Sequence, residues 1–279
     1  MSGLVAILCS GQGGQHPAMF DLVANCPEAE PIFAAAAGVL GQDPRRFVRE
    51  AAPADLFSDL SGQILCCTQA LAAWAALGTV RPARAVIAGY SIGELAAWGC
   101  AGALDGARIL RLAQRRAAMM DAAAPSDGGL AAIVGLRRAT LEPILARHSV
   151  SIAIVDDVDS FVVGGRRAGL EAACQEAAAR GARHTISLKV ALPSHTPFLG
   201  EATEQFRAVL REACAMPGRA SERGAGMPAD PYRRVRLLHR EGLAPDIRVS
   251  IEPAIKAGGR LRPELLEDRD PFVGHGTTR

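Results

Sequence analysis

The apolar run "RAVIAGYS" (84–91) stops at a serine held between two glycines, Gly89-Tyr90-Ser91-Ile92-Gly93, and passes at once into the amphipathic "GELAAWGC" (93–100). A short apolar strand that turns this abruptly into a helix reads as a βα unit, and such units bury their strands in a parallel sheet. The same pattern occurs upstream, where "LVAIL" (4–8) ends in the glycine-rich "SGQGGQ" (10–15). Both runs are predicted to be buried parallel strands. "CCTQALAAWAAL" (66–77) is predicted as a helix between them, and "DGARILRLAQRRAAMMDAAA" (105–124) as a long helix after them, N-capped by Asp105. Strand, helix, strand, helix implies an α/β fold, and glycine-rich turns at the carboxyl ends of its strands are where such folds build sites.

A different unit follows. "LAAIVGL" (130–136), "TLEPILARH" (140–148), "SIAIVDD" (151–157), "FVVGG" (161–165), "AGLEAACQEAAARG" (168–181) and "RHTISLKV" (183–190) read as strand, helix, strand, strand, helix, strand. That order is the ferredoxin-like split βαβ pattern. The expected architecture is therefore a hydrolase-like large domain with a parallel sheet (1–126, returning over 192–214) and an inserted small ferredoxin-like domain (127–191) forming one wall of a cleft. From residue 215 to 279 the chain changes character: arginine, proline and glycine make up roughly two residues in five of "AMPGRASERGAGMPADPYRRVRLLHREGLAPDIR" and hydrophobic periodicity is weak. Within this atypical tail "IEPAIKAG" (251–258) and "RPELLED" (262–268) are the two stretches that could make short helices.

Composition narrows the function classes. With 279 residues, 49% of them hydrophobic, the chain can bury one substantial core. A net charge of +2 argues against a nucleic-acid binder driven by phosphate neutralisation. The seven cysteines (Cys9, Cys26, Cys66, Cys67, Cys100, Cys174, Cys214) are odd in number and form no C-x-x-C pair, so they read as small buried hydrophobes in a reducing cytoplasm. The N-terminus has no basic segment and its apolar run is of strand length; neither a signal peptide nor a membrane span is expected, and the protein is placed in the cytoplasm.

The chemistry centres on Ser91. In a G-x-S-x-G between strand and helix, the glycines let the backbone turn sharply and the hydroxyl project from the turn. The helix that starts there directs free N–H groups at any anion formed, with the amide of Ile92 as one oxyanion donor. The alternative is a serine that merely N-caps the helix. A nucleophilic serine needs a base. Of the six histidines, His148 ends a predicted helix and His184 starts a strand among arginines, whereas His195 lies in "ALPSHTPFL", an apolar loop whose prolines at 193 and 197 would fix its ring near the sheet end. A buried histidine satisfied by backbone is the competing reading. The "SGQGGQ" loop lacks the lysine and spacing of a phosphate loop, and could instead expose the Gln12 amide as a second oxyanion donor. On the helix from Asp105, Arg116 falls on the same stripe as Ile109, Leu112, Ala113 and Met120, so it faces inward. An inward guanidinium needs a partner, either a protein carboxylate or one brought by the substrate. Arg108, Arg111 and Arg115 lie together on another face and read as a solvated surface, with a docking patch as the alternative.

In this order, "GQGGQ", "GYSIGELAAWGCAGAL" (89–104), "RLAQRRAAMM" (111–120) and "LPSH" (192–195) resemble the malonyl-CoA:acyl-carrier-protein transacylase family of fatty-acid and polyketide synthesis, over roughly residues 4 to 214. Tyr90, where the family more often has histidine, and the "GELAAWG" continuation are most similar to the malonate decarboxylase epsilon subunit, a branch that loads malonyl onto a decarboxylase carrier protein. The resemblance implies malonyl-CoA as substrate and no permanently bound cofactor, with a coenzyme A thioester and an acyl carrier protein as partners and neither nucleic acid nor membrane. It implies that Ser91 takes the acyl group as an ester, that His195 acts as general base and then acid, and that the amides of Gln12 and Ile92 hold the oxyanion. It also implies that Arg116 clamps the malonyl carboxylate, and that a phosphopantetheine thiol completes a ping-pong transfer.

Two departures stand out. The asparagines that the family often has at the small domain's middle hairpin are replaced by "IVDDVDSF", and the segments that close the family's fold have no counterpart after residue 214. The tail is read as the product of a reading-frame shift. Two rivals remain: an α/β-hydrolase-type serine esterase with Asp156, Asp157 or Asp159 as its acid, and an inactive carrier-docking homologue.

Overall fold

The computed structural model describes residues 5–82 and 85–215, together with the backbone of 234–238 and 248–252. Strand β1 (Val5–Cys9) and strand β2 (Ala85–Gly89) pair in parallel, from Val5 opposite Ala85 to Cys9 opposite Gly89. Between them run α1 (Glu30–Leu40), α2 (Pro44–Glu50), α3 (Pro53–Leu56) and α4 (Asp59–Ala76), and after β2 come α5 (Ile92–Cys100) and α6 (Gly106–Ala123). Helix starts are encoded locally. Proline occupies the first turn of α2 and α3, where its missing N–H is no loss. The Ser58 side chain caps α4 by accepting from the Ser61 amide at 3.3 Å, and Asp105 caps α6 as predicted, accepting from the Arg108 amide at 2.8 Å.

Helix α4 is the centre of this unit. It packs against α1, α5 and α6, and Ile64, Leu65, Cys67 and Ala72 have no solvent exposure. Ile92, Ile109, Leu110 and Trp98 complete the core with Cys9, Ala85 and Ile87 of the two strands, each large aliphatic side chain contributing about 1.5–3 kcal/mol by its burial.

Two expectations for the sheet are corrected. It is mixed, not parallel: β8 (Arg248–Glu252) runs antiparallel to β2, with Ile251 opposite Ile87, and β7 (Arg234–Leu238) runs antiparallel to β8. The alternating "RVSIE" suits a strand, so Ile251 and Glu252 end β8 instead of opening the short helix expected over 251–258. The rest of that helix and the one over 262–268 fall outside the described residues. Nor is β1 buried on both faces. Its Ile7 and Cys9 turn toward the helices, while Leu8, on the opposite face, is 80% exposed. Among the described residues no helix covers that face of β1, so an all-apolar strand is half exposed.

The second unit consists of β3 (Gly128–Val134), α7 (Arg138–Arg147), β4 (Ser151–Asp157), β5 (Ser160–Arg166), α8 (Arg167–Ala179) and β6 (His184–Ser187). Its sheet has the order β4-β5-β3-β6, with every neighbouring pair antiparallel. Ile133, Phe161 and Val163 of the sheet meet Leu141, Ile144 and Ala173 of the two helices in a separate core. Strand β6 is shorter than the predicted 183–190. Leu188 still donates to the Leu130 carbonyl at 3.0 Å, after which the chain leaves toward the proline-bearing loop. That loop leads through a 3-10 turn (Pro197–Leu199) into α9 (Gly200–Ala215), whose Phe206, Val209 and Leu210 join the core of the first unit. Among the described residues no helix is long and apolar enough to cross a membrane.

Candidate active site

The turn between β2 and α5 is built by close backbone approach. A Cβ placed on Gly89 would lie 2.1 Å from the carbonyl carbon of Gly93, and one placed on Gly93 would lie 2.2 Å from the Cys9 carbonyl oxygen. Both positions therefore require glycine. The turn is closed by the Tyr90 amide donating to the Cys9 carbonyl at 3.0 Å and the Gly93 amide donating to the Tyr90 carbonyl at 2.9 Å. Between the glycines Ser91 is forced to φ 55° and ψ −121°, a conformation costing on the order of 1–3 kcal/mol. It occupies the N-cap position of α5 without making a side-chain capping bond. Its Oγ instead lies 2.9 Å from His195 Nε2, which decides against the capping alternative.

His195 also has a positive φ, 60°. Its loop is held by Thr196 Oγ1 donating to the Pro193 carbonyl at 2.5 Å and by the Ser194 amide donating to the Leu192 carbonyl at 2.9 Å. Pro193, Ser194 and Thr196 are buried. Other histidines are used elsewhere. His148 Nε2 lies 3.0 Å from Glu176 Oε2, and the Arg147 guanidinium, with His148, holds that carboxyl below its usual range. His184 pairs opposite Val134 in the small sheet and His16 is exposed; His239 and His275 lie outside the described residues. The acids of the esterase reading have other partners. Asp156 Oδ1 accepts from the Tyr90 hydroxyl at 3.5 Å, Asp157 from the Val158 amide at 2.7 Å and Asp159 from Arg183 at 3.0 Å.

The "SGQGGQ" loop lies against the serine turn. A Cβ on Gly11 would be 2.9 Å from Tyr90 Cδ1 and 3.6 Å from Ser91 Cβ. The loop is braced by Gln15, whose Oε1 accepts from the Gly13 amide at 2.6 Å while its Nε2 donates to the Leu56 carbonyl at 3.3 Å. Gln12 is thus the neighbour of a residue packed on Ser91. Ile92 is the first residue of α5, and its amide has no backbone acceptor among the described residues.

Arg116 sits on the inward stripe of α6 as expected, half-buried beside Ile109, Leu112, Ala113 and Met120. Its Nη1 donates to Gln63 Oε1 at 2.8 Å. Arg111 and Arg115 are exposed, whereas Arg108 is half-buried beside Asp105. Sequence reasoning missed what stands behind Arg116. Gln63 Nε2 donates to Asp59 Oδ2 at 2.6 Å, and Asp59 Oδ1 accepts from Gln12 Nε2 at 3.0 Å. Burial pushes the Asp59 carboxyl up to about 6, against the lowering effect of Gln12 and of the Arg116 charge. The available signal was an acid and an amide spaced i, i+4 at the head of the largely apolar "ILCCTQALAAWAAL". Cys9, Cys66, Cys67 and Cys100 are buried, Cys26 and Cys174 half-buried, and burial pushes the Cys66 thiol up to about 12, which keeps it inert. No group of metal-ligating side chains occurs among the described residues.

A serine strained onto a strand-to-helix turn, with a histidine nitrogen within hydrogen-bond reach, is an arrangement found among α/β proteins that carry an acyl group on serine. Comparison with known families narrows this: the family described as acyl transferase domain matches residues 64–224, and the chain belongs to that family. The malonyl CoA-acyl carrier protein transacylase of Escherichia coli K12 is 30% identical over 210 residues, covering 72% of this chain and 67% of that protein. Among solved structures, the acyl-carrier-protein S-malonyltransferase of Burkholderia pseudomallei 1710b is similar with a TM-score of 0.68 and 30% identity, covering 75% of this chain and 70% of that one. A malonyl-transacylase solved in complex with its type II PKS acyl-carrier protein is similar with a TM-score of 0.68 and 27% identity, covering 75% and 70%.

Proposed function

We propose that the chain moves a malonyl group from coenzyme A to the thiol of an acyl carrier protein through a seryl ester. The observation that carries this is the 2.9 Å contact between Ser91 Oγ and His195 Nε2 on a strained turn; the substrates follow the names of the relatives. His195 takes the Ser91 proton as the oxygen attacks the thioester carbonyl. The amides of Gln12 and Ile92, backed by the α5 N-terminus, receive the negative charge on the carbonyl oxygen. The C–S bond breaks, coenzyme A leaves with the proton from His195, and malonyl remains on Ser91. The carrier thiol, deprotonated by His195, then attacks the ester, and Ser91 recovers its proton. Arg116 receives the free malonyl carboxylate. Each of these steps uses the chain's own side chains and amides, with malonyl-CoA as a substrate and no resident cofactor.

The small unit, 127–191, is best described as ferredoxin-like: the order β4-β5-β3-β6 with two helices on one sheet supports that reading. Residues 1–126 and 192–214 would form the hydrolase-like large domain, and 215–279 an atypical tail derived from a frame shift, working in the cytoplasm. Sequencing the locus tests the last point; an intact frame with no family-like continuation in either other frame would sink it. Tyr90 and "GELAAWG" favour the carrier of a malonate decarboxylase, so transfer should be compared between that carrier and a fatty-acid carrier. The experiment for the activity is incubation with labelled malonyl-CoA, acetyl-CoA and a neutral ester. Label retained from malonyl-CoA and passed to a carrier protein is expected; steady ester turnover without transfer would favour the esterase.

A further inference from the structure

We propose that Asp59 is a positioning residue for the acyl-group specificity of this site: its carboxylate fixes which way the Gln63 amide points, and the Gln63 oxygen in turn sets the Arg116 guanidinium. The inference rests on the transferase reading, because it gives Arg116 a substrate carboxylate to meet.

An ionised carboxylate accepts hydrogen bonds at both oxygens and donates none. Asp59, 6% exposed, receives Gln12 Nε2 on Oδ1 at 3.0 Å and Gln63 Nε2 on Oδ2 at 2.6 Å. With its NH2 held toward Asp59, Gln63 has one end left, and that end is an acceptor: Oε1, 2.8 Å from Arg116 Nη1. Turned by half a revolution, Gln63 would set oxygen against carboxylate and NH2 against guanidinium, a repulsion at each end. The Gln12 side shows how strongly the carboxylate dictates orientation. Gln12 Oε1 is buried with no hydrogen-bond partner among the described residues, a state costing about 1–3 kcal/mol. Turning that amide would set its oxygen against Asp59 Oδ1. The orphaned oxygen persists because the alternative sets two acceptors face to face.

The charged groups facing Asp59 are Arg116 and Asp121, both from α6; the loop after β1 presents the neutral Gln12. Protonation turns one Asp59 oxygen into a donor, so the orientation of Gln63 ceases to be imposed. Burial raises this carboxyl to about 6, which puts the loss of control just below neutral pH. His195 serves every acyl donor alike and drops out of a ratio between donors.

The test compares acylation of Ser91 by malonyl-CoA and acetyl-CoA across pH in the full chain and in Asp59→Leu, with Asp59→Asn as the second variant should leucine prevent folding. Loss of one hydrogen bond to a charged group predicts a malonyl-to-acetyl ratio of kcat/KM about tenfold lower in the variant, beyond any loss common to both donors from releasing Gln12. The malonyl-to-acetyl ratio should fall in the parent as pH drops through about 6 and stay flat in the variant. An unchanged ratio, or an equal loss for both donors, would overturn the proposal. A second readout does not need turnover: the Gln63 side-chain amide NMR signals should titrate with a midpoint near 6 in the parent and not in Asp59→Asn. Failure of the parent to react with malonyl-CoA would count against the transferase reading, while the amide titration would still decide for or against Asp59.

Discussion

Ser91, His195 and Arg116 owe their places to different physics, and substitutions should separate them. In the proposed transfer Arg116 would receive the malonyl carboxylate, so Arg116→Ala should lower kcat/KM for malonyl-CoA by about 100-fold, the worth of a bidentate charge-assisted pair, with acetyl-CoA spared. Arg116→Lys should recover little, since an ammonium lacks the planar fork. Steady-state kinetics with the two donors checks both. These three residues were legible because each carries its signal locally: glycines around Ser91, prolines around His195, a helical stripe under Arg116. Asp59 and Gln63 were not legible, because what makes them matter is supplied by residues 12 and 116, far away in the chain. Asp59 also makes a stability prediction. Its carboxyl is raised from an ordinary 3.8 to about 6, a displacement corresponding to roughly 3 kcal/mol. Between those values the folded state binds more protons than the unfolded one, so this group's contribution worsens as pH rises from about 4 to 6 and is fully unfavourable above. Relative to the parent, Asp59→Asn should therefore be more stable at pH 8 than at pH 4.5. Urea denaturation at the two pH values measures the difference, and a pH-independent gap would contradict it.

At the scale of elements, the glycines of the β2–α5 turn hold three backbone segments together. A methyl group on Gly93 would meet the Cys9 carbonyl oxygen at 2.2 Å, and backbone cannot swing aside as a side chain does. Gly93→Ala should lose at least about 3 kcal/mol or fail to fold. Gly14→Ala is the control, because a Cβ there meets nothing within 4 Å, and its effect should stay within about 0.5 kcal/mol. Urea midpoints of the two variants test the contrast. Elements with a clear period or a glycine stop were readable, including the six of the small unit. Neither α1 nor α9 was among the expected elements, and the short α2 and α3 could not be, since seven and four residues are too few to display a period. The burial of β1 was overestimated for another reason: "LVAIL" states that its side chains are apolar, not that both faces find cover.

For the molecule as a whole, the segment after β6 closes the arrangement. His195 reaches Ser91 because α9 returns to the first unit and docks Phe206, Val209 and Leu210 in its core, so serine and histidine, 104 positions apart, meet. The Tyr90 hydroxyl lies 3.5 Å from Asp156 Oδ1, which brings the serine turn next to β4. The central event of the proposed transfer is formation of an ester at Ser91. Intact-protein mass spectrometry after brief mixing with malonyl-CoA, followed by peptide mapping, reads it directly. A single added malonyl group is expected on the peptide bearing Ser91, absent in Ser91→Ala and discharged by a carrier thiol. An adduct on any other residue, or one that persists in Ser91→Ala, would contradict the proposed transfer.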